Sequence, residues 1–146
     1  MGCTTYGTVG EMKDRTRNPK GVSTANELRQ GKRIPVLFFR TEAGGEPVRD
    51  WLKTLSIGDK KAIGTDIMAV EFGWPLGLPL CRSLQDGVHE VRTALDNNRI
   101  ARVLFYVDAQ ERMVLLHGFI KKTRKTPAGE LALAIRNKKK HEKGLP

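Results

Sequence analysis

Val88-His89-Glu90-Val91-Arg92-Thr93-Ala94-Leu95, Arg99-Ile100-Ala101-Arg102-Val103-Leu104-Phe105-Tyr106-Val107-Asp108 and Met113-Val114-Leu115-Leu116-His117-Gly118-Phe119-Ile120 follow one another with only short breaks between them. All three runs are rich in β-branched, aromatic and aliphatic residues, the composition of strands. Asp96-Asn97-Asn98 and Ala109-Gln110-Glu111-Arg112 separate them. Short polar turns join antiparallel neighbours, so the three runs predict a β-meander.

Working outward, Ile34 to Arg40 reads as a further strand with Pro35 at its start, where a sheet edge tolerates it. Val48, Trp51, Leu52 and Leu55 recur at helical spacing behind Pro47, a residue suited to the first helical position. Ser56-Ile57-Gly58 interrupts the pattern. A second helix then fits Asp59 to Glu71, with Ile63, Ile67 and Val70 on one stripe. Gly73 to Pro79 is loop-like in composition. Beyond the meander, Thr126 is placed to cap a last helix running from Ala128 to Gly144, with Pro127 at its first position and Ala128, Leu131 and Ile135 as its apolar stripe. The expected fold class is α+β: two N-terminal helices packed on one face of a twisted antiparallel sheet, with a C-terminal helix. Residues 1–33 carry few apolar side chains and no periodicity, and are expected to be a disordered extension; residues 34–146 form the domain.

The 146 residues carry a formal net charge of +10. The excess belongs to the ends. Residues 1–33 hold seven Lys and Arg against three acids, and residues 121–146 hold nine against two. Residues 34–120 are nearly balanced, ten against eleven. Such a distribution favours an acidic partner: nucleic acid, an acidic protein or a membrane surface. Cys3 and Cys81 make neither a disulfide framework nor a zinc site, and His89, His117 and His141 add no metal spacing. No metal and no cofactor are expected. Gly2-Cys3 lacks the Ser or Thr that an acylation signal would have where Tyr6 stands. Without a membrane-length apolar run, a cytoplasmic protein that makes no membrane contact is expected.

The last strand ends in Lys121, Lys122, Arg124 and Lys125, four cations within five residues. Cations on a rigid strand end suit a polyanion such as RNA; the same cluster also serves simply to keep a strand end solvated. Glu90-Val91-Arg92, the Arg99–Val107 run, and Leu115 to Pro127 with its Phe119-x-Lys121-Lys122-Thr123-x-Lys125-Thr126-Pro127 element resemble the phage-derived Gp49-like, HigB-type branch of the RelE/ParE toxin superfamily. The resemblance spans roughly Ile34 to Lys143. It implies a RelE/ParE-like fold and a toxin of a type II toxin–antitoxin system: a metal-independent, ribosome-dependent mRNA endonuclease that inhibits translation. Its implied partners are the ribosome with its mRNA and a cognate antitoxin of helix-turn-helix type. Two other readings stand beside it: a ParE-like toxin that blocks a protein such as gyrase, and a non-toxic basic phage-derived nucleic-acid-binding protein.

Metal-free RNA cleavage needs a base for the 2′-OH, cations for the phosphorane and an acid for the 5′-oxygen. Arg92 matches the Arg of the family's Glu-x-Arg strand and is expected to stabilise the phosphorane, which a planar guanidinium suits. Lys121 and Lys122 match the double Lys, one of them a candidate base if its neighbours depress its pKa. His117 is a candidate acid or base, although a histidine in an apolar strand is also an ordinary core residue. Arg102, Tyr106, Arg124 and Lys125 are candidate RNA contacts; Arg102 and Tyr106 have equally plain roles as sheet residues. The last helix lacks the aromatic that some RelE relatives stack on a base, which leaves Tyr106 as the candidate for stacking.

Overall fold

The chain divides into two units, Met1–Arg33 and Ile34–Pro146, and the fold described here belongs to the second. The computed structural model describes residues 33–77, 79–121 and 125–144. The expected extension therefore lies, apart from Arg33, outside the described residues, as do Lys122 and Arg124.

The elements in chain order are β1 (Val36–Phe38), α1 (Pro47–Lys53), α2 (Ile57–Gly73), β2 (Cys81–Ser83), β3 (His89–Ala94), β4 (Ile100–Val107), β5 (Met113–Lys121) and α3 (Ala128–Gly144). Among the described residues the architecture is α+β, three α-helices on a five-stranded mixed sheet of order β1-β5-β4-β3-β2. The meander β3-β4-β5 is antiparallel as its turns predict. Two features correct the expectation of a wholly antiparallel sheet with one face covered. First, β1 lies parallel to β5, with Val36 opposite Met113 and Phe38 opposite Leu115. The long connection between them, two helices and the rest of the sheet, permits that direction, which a tight turn does not. Second, helices cover both faces. Ile63, Ile67 and Val70 of α2 and Val48 of α1 share a core with Val91, Val103, Phe105, Met113 and Leu115. Leu131, Ala134 and Ile135 of α3 pack with Leu104, Tyr106, Val114 and Leu116 on the opposite face. Residues 101–106 and 113–116 are accordingly buried without alternation, the signature of strands covered on both sides. On α3 the buried apolar residue is Ala134, whereas Ala128, expected in the stripe, is exposed.

Local chemistry sets the ends of these elements. Pro47 occupies the first turn of α1. Ser56 caps α2, its hydroxyl accepting the Asp59 N–H at 3.1 Å. At the other end of α2, the buried Glu71 accepts the Val36 N–H on its carboxylate at 2.9 Å and the Ile34 N–H on its carbonyl at 3.3 Å. This occupies a donor on the edge strand β1 that would otherwise be open to another chain.

One irregularity governs the rest of β5. Leu104 pairs with His117 but Phe105 pairs with Leu115, so Leu116 is an extra residue, a β-bulge. Strict alternation from Met113 and Leu115 would aim His117 at α1 and α2. The bulge turns it instead toward α3, where it reaches Glu130. The Leu116 carbonyl accepts a hydrogen bond from the Asn137 amide at 2.9 Å, so the 7% exposed Asn137 satisfies the polar group that the bulge displaces. Beyond the bulge Gly118 faces α1, and a Cβ there would stand 2.4 Å from the Trp51 ring. Only glycine admits that contact.

Two predictions follow from this packing. Gly118→Ala should lower Tm in a thermal melt by roughly 5 °C or more, since overpacking typically costs about 1–3 kcal/mol. Gly64→Ala, on α2 with nothing within 4 Å of an added Cβ, should raise it slightly through helix propensity. An unchanged midpoint for Gly118→Ala would contradict the close approach. The second concerns pH. Burial depresses His89, packed between Trp74 and Phe105, below its ordinary 6.5. Burial does the same to His141, whose Nδ1 lies 2.6 Å from the Tyr106 hydroxyl. The unfolded chain then binds more protons than the folded one just below pH 6.5. Stability is complete above that pH and declines as pH falls through the depressed values, so urea midpoints should fall between pH 7.5 and about 5.5.

Candidate functional site

The antiparallel registers build a grid of side chains on the α3 face of the sheet. Arg82 of β2 stands opposite Glu90 of β3, Glu90 opposite Leu104 of β4, and Leu104 opposite His117 of β5. Two residues along, Arg92, Arg102 and Phe119 form the next row, and Ala94, Ile100 and Lys121 the one after. Directly opposed side chains on one face stand about 5 Å apart at Cβ, close enough for like charges to repel. Arg92 and Arg102 are such a pair.

A buried carboxylate makes this arrangement tolerable. Glu90 and Arg102 are both 0% exposed. The Thr126 hydroxyl, from the chain just before α3, donates to Glu90 Oε2, and Arg92 Nε lies 3.8 Å from Oε1. Burial pulls the Arg102 guanidinium down from its ordinary pKa; the Glu90 carboxylate opposes that shift, while Arg92 and Arg82 add to it. A buried ion stripped of its partner costs several kcal/mol. Glu90 is thus the counter-charge of an arginine cluster. It also draws the entry to α3 onto the sheet through Thr126, a residue the sequence presented only as a helix cap.

On the neighbouring strand His117 Nε2 lies 2.5 Å from Glu130 Oε1 of α3, and its ring stacks on Phe119 with centroids 5.6 Å apart. A carboxylate so placed fixes the imidazole's orientation. Glu130 lies in the first turn of α3, where its charge also suits the helix dipole. Lys121 closes β5 and is exposed, as is Lys125. Among the residues singled out from the sequence, Arg92, Arg102, His117 and Lys121 therefore come together on one face.

Two candidates are placed differently from their expected roles. Tyr106, expected as a base-stacking contact, is 4% exposed, bonded to His141 and covered by the Lys138 ammonium 5.4 Å from its ring centre. It sits four residues along β4 from Arg102, about 13 Å. Its ring is a packing surface for α3, and burial pushes its hydroxyl up to about 12. Arg102, expected as a direct RNA contact, has no exposed surface. Arg82 was missed altogether, because β2 is three residues long and carries no alternation that would mark it as a strand.

Among the described residues no group of three or more His, Cys, Asp and Glu could hold a metal ion, and no helix is long and apolar enough to cross a membrane.

The charge arrangement predicts a non-additive pair of substitutions. Glu90→Leu should cost about 3 kcal/mol, because it leaves buried Arg102 beside two further arginines. Adding Arg102→Met should recover much of that loss, since it removes the buried guanidinium whose charge Glu90 offsets. Urea unfolding of both single variants and the double decides; strict additivity would mean that Glu90 and Arg102 do not bear on one another.

A search of curated proteins returned no match to the chain. The family described as Phage derived protein Gp49-like (DUF891) matches residues 50–139, a span that runs from α1 into α3 and includes β2 to β5 with the whole arginine cluster. The chain belongs to the phage-derived Gp49-like protein family.

Proposed function

We propose that the protein is the toxin of a type II toxin–antitoxin system, with a RelE/HigB-type fold, and that it cleaves mRNA on the ribosome without a metal. The observation that carries this reading is the Arg92–Arg102 pair, opposed on β3 and β4 around buried Glu90. Membership of the Gp49-like family supports it, through the likeness of that family to HigB-type toxins.

In this reading Arg92, with 23% of its side chain exposed, is the group that meets the scissile phosphate. Arg102 stands behind it as a fixed positive charge in a low-dielectric position, where electrostatic stabilisation of a developing phosphorane is strongest. His117, oriented by Glu130, transfers the proton, taking it from the 2′-OH or returning it to the departing 5′-oxygen. Lys121 adds positive charge at the end of β5, and Lys125 neutralises flanking phosphates; Lys122 and Arg124 join them on the sequence alone. Phe119, stacked on His117 and 7% exposed, keeps the imidazole from turning away. A helix-turn-helix antitoxin would hold the enzyme inactive in the cytoplasm.

Induced alone, the chain should arrest growth and give new 5′ ends within translated regions in primer extension. Arg92→Ala should lower the single-turnover cleavage rate on ribosomes by about 10²-fold, the scale for one lost transition-state stabiliser, with ribosome binding changed far less. Lys125→Ala should do the reverse. Arrest with intact mRNA and inhibited supercoiling would overturn the nuclease reading in favour of a gyrase-blocking toxin.

A further inference from the structure

The α3 face of the sheet carries one cation on each of four successive strands. Arg82 lies on β2, Arg92 on β3, Arg102 on β4 and Lys121 on β5, each reached from the last by pairing register or by a two-residue step. With strands about 4.8 Å apart and about 3.3 Å of rise per residue, the diagonal from Arg82 to Lys121 is roughly 20 Å long. Its ends are exposed, Arg92 is partly exposed and Arg102 lies beneath. Of the named charges that act on Arg102, Glu90 is the negative one and Arg92 and Arg82 are positive.

From this geometry we propose that Arg82 is a phosphate-binding residue, and that a single RNA strand crosses the sheet diagonally from β2 to β5 with its backbone on Arg82, Arg92 and Lys121. The inference rests on the RNA reading of the same site and adds its direction. The strand enters over the short edge strand β2 rather than following the basic end of β5. Arg82 is well suited to the entry: exposed, on a three-residue edge strand, with its Cα opposite Glu90. A guanidinium there engages a phosphate through two parallel hydrogen bonds without disturbing the buried pair.

The test uses the full chain and a fluorescently labelled oligouridylate, titrated at several salt concentrations. Arg82→Gln should weaken binding and flatten the plot of log affinity against log salt by about 0.7, the value for one single-strand phosphate contact. Arg82→Lys should keep the wild-type slope. Lys60→Gln removes the same charge from exposed α2 on the opposite face of the sheet and should leave the slope unchanged. If Arg82→Gln matches Lys60→Gln in slope and affinity, the diagonal track is wrong. Ribosomal mRNA cleavage measured beside it separates the two ideas. An Arg82-dependent slope with uncut mRNA sinks the nuclease reading and leaves the track standing. Cleavage by a protein whose Arg82→Gln variant behaves like Lys60→Gln sinks the track alone.

Discussion

Two opposite charges shut away from water organise this molecule. Glu90 and Arg102 lie on adjacent strands on the α3 face of the sheet, and neither exposes any surface. Each would be costly there by itself. The Glu90 charge offsets the unfavourable field that Arg92 and Arg82 exert on the buried Arg102. Thr126 ties the start of α3 to the carboxylate, while Arg92 and Arg82 surround it from β3 and β2. A stable core alone does not require such a pair, because apolar residues of like volume often serve as well or better.

The backbone of β5 supplies the second half of the arrangement. A single extra residue at Leu116 moves His117 from the α1/α2 face to the α3 face and Gly118 the other way. Each displaced group finds a complement on a helix: Glu130 for His117, Asn137 for the Leu116 carbonyl, and the Trp51 ring for the missing side chain of Gly118. Three contacts from two helices therefore hold one bulge. The bulge brings an imidazole and a carboxylate to the same face as the arginine pair.

Much of the fold was legible in the residues. The meander followed from three β-rich runs with short polar turns, and the helices from apolar spacing with Pro47 and Pro127 at their starts, although the second begins at Ile57 behind the Ser56 cap rather than at Asp59. The direction of β1 was not legible, since nothing within a strand records which neighbour it will meet or which way that neighbour runs. Nor was β2, whose three residues become a strand only because β3 offers an open edge. The second covered face was visible after the fact in the unbroken apolar runs of β4 and β5, which alternating strands would not show.

For the site, the sequence by itself determined the kind of chemistry on offer. It fixed the excess of cations, the Glu90-Val91-Arg92 strand, the Lys121 to Lys125 cluster and the positions of the three histidines, because charge and residue type are properties of the chain. Tertiary structure decided which of them meet. It placed Arg102 opposite Arg92, removed Tyr106 to the far end of α3, gave His117 its Glu130 and added Arg82 from an unmarked strand. The reason is that side-chain direction along a strand is a parity. One bulged residue reverses it for everything that follows, and pairing register, which long-range packing sets, decides which parities share a face.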